Sequence, residues 1–138
     1  LFGCALLMRA QSLKEVGLFD TSFFMYYEDS DICRRMRDAG WKNIRVGSAL
    51  IRHKASLSSK LVPEQMVYLR ARNRSWFYRR YRHGPLPAAT FLALFFGSIK
   101  TILTYLFTGK RTQIRPYIHG ALDGLRQAVP PLTGTSWD

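Results

Sequence analysis

A chain of 138 residues with 47% hydrophobic, 14% aromatic and 22% charged side chains has the make-up of a globular domain and not of a disordered or collagen-like segment. Its 21 Lys and Arg against 9 Asp and Glu leave a formal charge of +12, which points to an anionic partner: phosphate, nucleic acid or acidic lipid. Cys4 and Cys33 lie far apart, with no CxxC spacing and no neighbouring His, so neither a disulfide framework nor a zinc site is indicated and a reducing compartment is expected.

The chain starts at Leu1 and lacks the basic lead and cleavage pattern of a secretory signal, so it reads as a piece of something longer. Cys4 to Arg9 is a short apolar run expected to be a buried strand. Ser12 and Glu15 have capping-box spacing for a short helix that Gly17 stops. After a turn at Phe19 to Ser22 comes the aromatic block Phe23-Phe24-Met25-Tyr26-Tyr27, followed at once by Glu28-Asp29-Ser30-Asp31. From there to Ala39 the pattern predicts a helix, with Gly40 as its stop and Arg34, Arg35 and Arg37 in later turns, where they complement the dipole. Lys42 to Val46 and Ala49 to His53 read as two further short strands.

Charge then divides the chain. Residues 1–59 carry nine basic and six acidic side chains, whereas residues 60–126 carry twelve basic ones against Glu64 and Asp123 alone. The expected organisation is a mixed α/β segment over 1–59, a basic aromatic helical segment over 60–128 and a tail over 129–138, joined by a linker at Ser56 to Ser59 with Pro63 opening the next element. The helix predicted over Val62 to Arg82 places Met66, Leu69, Trp76 and Phe77 near one face and Arg70, Arg72, Arg74, Arg79, Arg80 and Arg82 over much of the rest. Among these, Arg72, Arg74, Arg79 and Arg80 are the candidate contacts to an anionic surface. Asn73-Arg74-Ser75 matches the glycosylation sequon by chance, being mid-helix.

Gly84 to Ile99 has no charge, and beyond Lys100 a second apolar run reaches Phe107. Sixteen residues fall short of the roughly 20 needed for a span, and basic residues flank both ends. Two readings stand side by side: an interfacial hairpin or in-plane helix on an acidic leaflet, and a helix packed on missing protein.

The carboxylates of the first helical turn face free backbone N–H groups and the positive end of the dipole, which favours their ionised form. Asp31 and Arg35, four apart, can pair along the helix, leaving Glu28 and Asp29 to face a cleft. Acidic residues at a helix start are also ordinary caps, but the five large apolar residues before these would set them at a pocket rim.

Gly17-Leu18-Phe19-Asp20, the aromatic block with Glu28-Asp29-Ser30-Asp31, Arg35, and Ala39-Gly40-Trp41 together resemble the C-terminal half of the catalytic domain of family-2 glycosyltransferases of GT-A fold, the rhamnosyltransferase-like members above all. Gly3 to Arg9, His53 and Arg72-Asn73-Arg74 follow the same order, so the resemblance covers residues 1 to about 82. It implies an α/β fold, the C-terminal half of a GT-A domain followed by a basic helical tail. It also implies inverting transfer of a sugar from a nucleotide-diphosphate donor to a glycan or lipid-linked acceptor. Asp29 would be the base that takes the acceptor proton, Glu28 would orient acceptor or base, Asp31 and Arg35 would support them, and Phe24 and Tyr26 would line the acceptor site. His53 matches the place of a late ligand to a divalent metal, Mg or Mn, and equally suits a strand-end histidine bonded to backbone.

The donor-binding half and its Asp-x-Asp motif would lie upstream, so this stretch by itself is expected to be inactive. The expected location is cytoplasmic, peripheral at the inner face of the plasma membrane. The alternative is a non-catalytic module binding nucleic acid or a membrane surface. Nucleic acid accounts for the arginines but leaves the acidic cluster unused and repelling a phosphate backbone.

Overall fold

The computed structural model describes residues 3–53, 63–81 and 88–133. Five α-helices follow in order: α1 (Ala10–Val16), α2 (Glu28–Asp38), α3 (Pro63–Arg80), α4 (Ala88–Phe107) and α5 (Ile114–Arg126), with short 3-10 turns at Thr21–Phe23 and Arg111–Gln113. They form two compact units, Leu1–Leu57 with Pro130–Asp138, and Ser58–Val129.

The expected α/β architecture is overturned: among the described residues there is no strand, and the structure is helical. The three segments read as strands, 4–9, 42–46 and 49–53, are irregular. Strand character is a property of paired backbones, since an unpartnered extended segment leaves its N–H and C=O groups to water and its side chains without a facing surface. Leu7, Ile44, Val46, Leu50 and Ile51 are accordingly exposed. Apolar content raised these segments to candidate strands, but no ladder partner meets them among the described residues. A half-domain of GT-A type over 1–59 is therefore not what this chain forms.

In the first unit, α1 begins two residues before the predicted cap. Arg9 is the N-cap, without a side-chain cap, and Ser12 is buried inside the helix with its Oγ donating to Arg9 O at 2.8 Å. Glu15 faces outward and accepts from Trp41 Nε1 at 2.9 Å. The capping-box spacing was thus a false signal, because Ser12 bonds back along its own helix instead of opening it. α2 ends as predicted at Gly40, whose φ of +87° lets Gly40 N–H reach Arg37 O and Trp41 N–H reach Met36 O, both within 3.0 Å. The core is Phe23, Ile32 and Met36.

Two buried polar centres stiffen this unit. Arg35 Nε donates to the fully buried Asp31 Oδ2 at 2.8 Å while its remaining donors reach the carbonyls of Val16, Gly17 and Leu18, binding the α1 exit to α2. Asp20 Oδ1 accepts from Ser22 N at 2.9 Å, Ser22 Oγ at 2.6 Å and Thr133 Oγ1 at 3.0 Å. The stretch read as a plain tail is therefore part of the first unit as far as Thr133, anchored on a buried carboxylate.

The second unit is built on a close crossing of α3 and α5. Ala71 and Ser75 of α3 are buried opposite Gly120 and Gly124 of α5, all four small. A Cβ at Gly120 would stand 2.2 Å from Tyr68 O, and one at Gly124 2.5 Å from Arg72 O, so the two backbones are in direct contact. Met66, Leu69 and Trp76 flank the seam. Tyr68 donates to Asp123 Oδ2 at 2.8 Å, and Arg79 Nη1 donates to Gly124 O and Gln127 O, both at 2.7 Å, capping the negative end of α5. α4 is one continuous helix through Lys100, about 30 Å long at 1.5 Å per residue.

Candidate functional site

α2 carries the acidic cluster in its first turn, with Glu28, Asp29 and Asp31 all there. The backbone that leads into it is unusual. Phe24, Tyr26 and Tyr27 have φ of +58°, +69° and +72°, a region that side chains with a Cβ rarely adopt. Each such residue costs on the order of 1–3 kcal/mol and persists only where surrounding structure imposes it. The buried Phe23 on one side and the anchored α2 on the other impose it here. Three left-handed aromatic residues within four positions turn the chain sharply, so that Tyr27, itself without a side-chain cap, delivers Glu28 and Asp29 into the helix start.

Asp29 is held on both oxygens. Oδ2 accepts from Gly3 N at 2.9 Å, and Oδ1 accepts from Ser30 N at 2.7 Å and Ser30 Oγ at 3.3 Å. Gly3 packs so closely that a Cβ there would stand 3.3 Å from Asp29 Cβ. Glu28 is the contrasting neighbour: it is half-buried, and its Oε2 is enclosed without a hydrogen-bond partner among the described residues. Burial raises its pKa above the ordinary carboxylate value, with the adjacent Asp29 adding to the shift and its own backbone N–H opposing it. Two adjacent carboxyl groups thus differ in kind, one held by donors on both oxygens, the other half-buried with an enclosed oxygen that meets no donor among the described residues. Unequal environments of this sort separate acid and base roles in active sites.

A pH-dependent outcome follows. A carboxyl group whose folded pKa lies above its unfolded value binds more protons folded than unfolded in the interval between the two, so stability falls as pH rises through that interval. Glu28→Gln is expected to be more stable than the parent at pH 7 and to lose that advantage below the ordinary carboxylate range. Urea titrations at pH 3.5 and 7 check this, and equal stability differences at both values would contradict it.

The other predicted site residues are placed as follows. Asp31 and Arg35 form the buried pair described above and set the position of α2. Phe24 is exposed and Tyr26 half-buried, both in the turn that precedes the cluster. His53 is exposed in an irregular segment, and no group of three or more His, Cys, Asp or Glu side chains able to hold a metal occurs among the described residues.

The arginines assigned to an anionic surface are engaged within the second unit. Arg74 Nη2 donates to Ser98 Oγ at 2.8 Å and Tyr117 OH at 2.9 Å, tying α3 to α4 and α5. Arg79 caps α5, and the guanidinium of Arg72 lies 4.1 Å from the Trp76 ring centroid. Arg80 is half-buried at the end of α3.

Sequence reasoning missed the Gly3 N–H and Ser30 contacts to Asp29. Ser30, adjacent to the cluster, was within reach of such reasoning; Gly3, 26 residues away, carried no signal. It also missed a concavity of about 660 Å³ in the second unit, lined by Glu64, Tyr68, Arg111, Arg115 and His119 among others. The 111/115/119 spacing, which places three cationic or titratable groups along one side of the helix start, was its visible trace.

Comparison with known proteins gives a partial likeness. Over 56 residues the chain is 45% identical to N-acetylglucosaminyl-diphospho-decaprenol L-rhamnosyltransferase of Mycobacterium tuberculosis, in strain CDC 1551 / Oshkosh and equally in strain ATCC 25618 / H37Rv. The matched stretch covers 40% of this chain and 18% of each relative, so the chain spans less than a fifth of the length of the curated relatives it matches. No family model matches the chain, and no solved structure matches it. The chain is in part similar to a glycosyltransferase.

Proposed function

We propose that the acidic start of α2 is the proton-accepting part of a glycosyl-transfer site. In this reading Asp29 takes the proton from an acceptor hydroxyl as its oxygen attacks the anomeric carbon of a sugar carried on a nucleoside diphosphate. The new C–O bond forms on the face opposite the leaving group, the bond to the diphosphate breaks, and the diphosphate departs with the electron pair, so configuration inverts. Glu28 holds the acceptor or Asp29 in line, and the exposed Phe24 ring offers a surface for a sugar face. The acceptor named in the relatives' activity, an N-acetylglucosaminyl-diphospho-decaprenol, suggests a lipid-linked diphosphate sugar as acceptor.

The observation that carries the reading is the contrast between the two carboxyls. Asp29 is immobilised by three donors, as a general base needs to be, beside a Glu28 that retains an enclosed oxygen with no partner. The partial likeness to a rhamnosyltransferase supports the same chemistry.

The test is sugar transfer by the protein carrying this chain, assayed with a panel of nucleotide-diphosphate sugars on N-acetylglucosaminyl-diphospho-polyprenol. Asp29→Asn is expected to lower kcat by about 10²- to 10⁴-fold with donor binding retained. Arg34→Met, on the solvent side of α2, is expected to leave the rate unchanged. Transfer that survives Asp29→Asn at the parent rate would refute the assignment.

A further inference from the structure

α4 is the least accounted-for element. Its 18-residue window Thr90–Phe107 has a mean hydropathy of 1.6, and Leu94 is its one buried side chain among the described residues. At 100° per residue the exposed apolar side chains, Phe91, Phe95, Ile99, Leu103, Leu106 and Phe107 among them, fall in one arc of roughly 160°. Leu94, Ser98 and Tyr105 fall outside that arc, grouped within about 60° beyond its Phe91 edge. That side is occupied: Leu94 is buried, Ser98 bonds Arg74 and Tyr117, and the Tyr105 and Tyr117 rings meet edge to face at 6.1 Å. An apolar patch of this extent does not stand open to water on a soluble domain without a partner.

From this arrangement we infer that α4 lies in the plane of an anionic lipid bilayer, its exposed arc sunk to the level of the upper acyl chains. Three features select lipid. The arc is smooth along 20 residues, with Lys100 exposed at its margin, where an ammonium reaches the headgroups while its stem stays in contact with the acyl region. Charge complementarity comes next: the chain leaves α4 after Phe107 and presents Lys110, Arg111 and Arg115, all exposed and none with an ion pair or hydrogen bond to a side chain among the described residues. Arg111 and Arg115 line the 660 Å³ concavity with His119, a place for a headgroup phosphate.

The third feature decides orientation. α4 has the length to cross a bilayer, but Arg74 binds its inner side to α3, which also carries Arg70, Arg72, Arg79 and Arg80. A crossing would take that arginine-rich helix into hydrocarbon with it, whereas an in-plane α4 keeps α3 and α5 in water. The inference rests on residues 63–126 alone and is independent of the glycosyl-transfer reading.

The test uses the whole chain with vesicles containing phosphatidylglycerol and with vesicles of phosphatidylcholine alone, read by flotation. Binding is expected on the anionic vesicles and is expected to weaken with salt. Phe95→Asp with Phe107→Asp should reduce partitioning by about 100-fold or more, and Arg111→Glu with Arg115→Glu by about tenfold or more with a flattened salt response. Because all four side chains are exposed, the variants should keep the parent's circular dichroism spectrum; a variant that does not is replaced by the milder Phe95→Ser with Phe107→Ser. Phe91→Trp and Leu103→Trp, each read as a difference from the parent, should be quenched by brominated lipids at the same shallow depth. Unequal depths, with the helix centre deepest, would show a crossing and overturn the inference. So would failure to bind anionic vesicles, whether α4 is then found covered in a dimer of this chain or the basic side is found to take oligonucleotides instead.

Discussion

Gly120→Leu is expected to break the second unit, with a loss of more than about 3 kcal/mol. A Cβ at Gly120 meets backbone, standing 2.2 Å from Tyr68 O and 3.0 Å from both the carbonyl carbon and Cα of Tyr68, so no rotamer change in a neighbour can relieve it. α5 would have to move away from α3. That movement would strain the Tyr68 to Asp123 bond and the Arg79 cap on Gly124 and Gln127. Gly97→Ala is the matched control: its Cβ would meet only Arg74 Nη1 at 3.4 Å, an ordinary contact at the end of a flexible side chain. Alanine at that helix-interior position should stabilise by about 0.5–1 kcal/mol. Thermal unfolding followed by circular dichroism reads both. A Gly120→Leu protein melting with the parent would mean that the α3–α5 crossing is not as described.

Arg35→Met should have the second large effect, about 3–5 kcal/mol on the first unit. Asp31 is fully buried and Arg35 nearly so, and the substitution leaves the Asp31 carboxylate without its paired cation while releasing the carbonyls of Val16, Gly17 and Leu18. Arg34→Met is the contrast. Arg34 and Asp38 are also four apart on α2 at 2.8 Å, but their side chains keep 22% and 46% of their exposure against 9% and 0% for Arg35 and Asp31, and such a screened pair contributes about 0.5 kcal/mol. The ratio of the two urea-measured losses tests whether burial, not spacing, sets the value of an ion pair here. If the proposed glycosyl transfer holds, the loss of Arg35, which positions the start of α2, lowers it through misplacement of Asp29, and low temperature restores part of it, as it could not for a loss at Asp29 itself.

Much of the local structure was legible in the residue order. α2 begins at its acidic cluster and ends at Gly40 because those residues act through the backbone groups of the helix ends, a matter of a few adjacent positions. The Asp31 and Arg35 pair follows from 3.6 residues per turn. Pro63 opens α3 for a similarly local reason, a proline lacking only an N–H that the first turn does not use. Ser12 and Glu15 show the limit of such reasoning: the spacing of a capping box was present, yet Ser12 bonds back to Arg9 and Glu15 to a tryptophan 26 residues on.

The expected strands failed for a related reason. Runs such as Lys42 to Val46 have the composition of a strand, but a strand exists only when another backbone supplies its ladder, and composition does not report whether that partner is there. The arginines of α3 were legible as a charge but not as a disposition. Only the approach of α4 and α5 gives Arg74 and Arg79 their acceptors on those helices. The Gly3 contact to Asp29 and the Thr133 contact to Asp20 join residues 26 and 113 positions apart.

By itself the sequence determined the net charge, the helix ends, the acidic turn that draws attention to Glu28 and Asp29, and the apolar length of α4, because each arises from covalent neighbours within one or two turns. Tertiary structure alone decided that no ladder forms among the described residues, that Gly120 and Gly124 bring two backbones into contact, which arginines turn inward, and that Asp29 is held on both oxygens while Glu28 keeps an enclosed oxygen without a partner among those residues. Those outcomes depend on which distant atoms share a boundary that excludes water, and a periodicity along the chain carries no record of that.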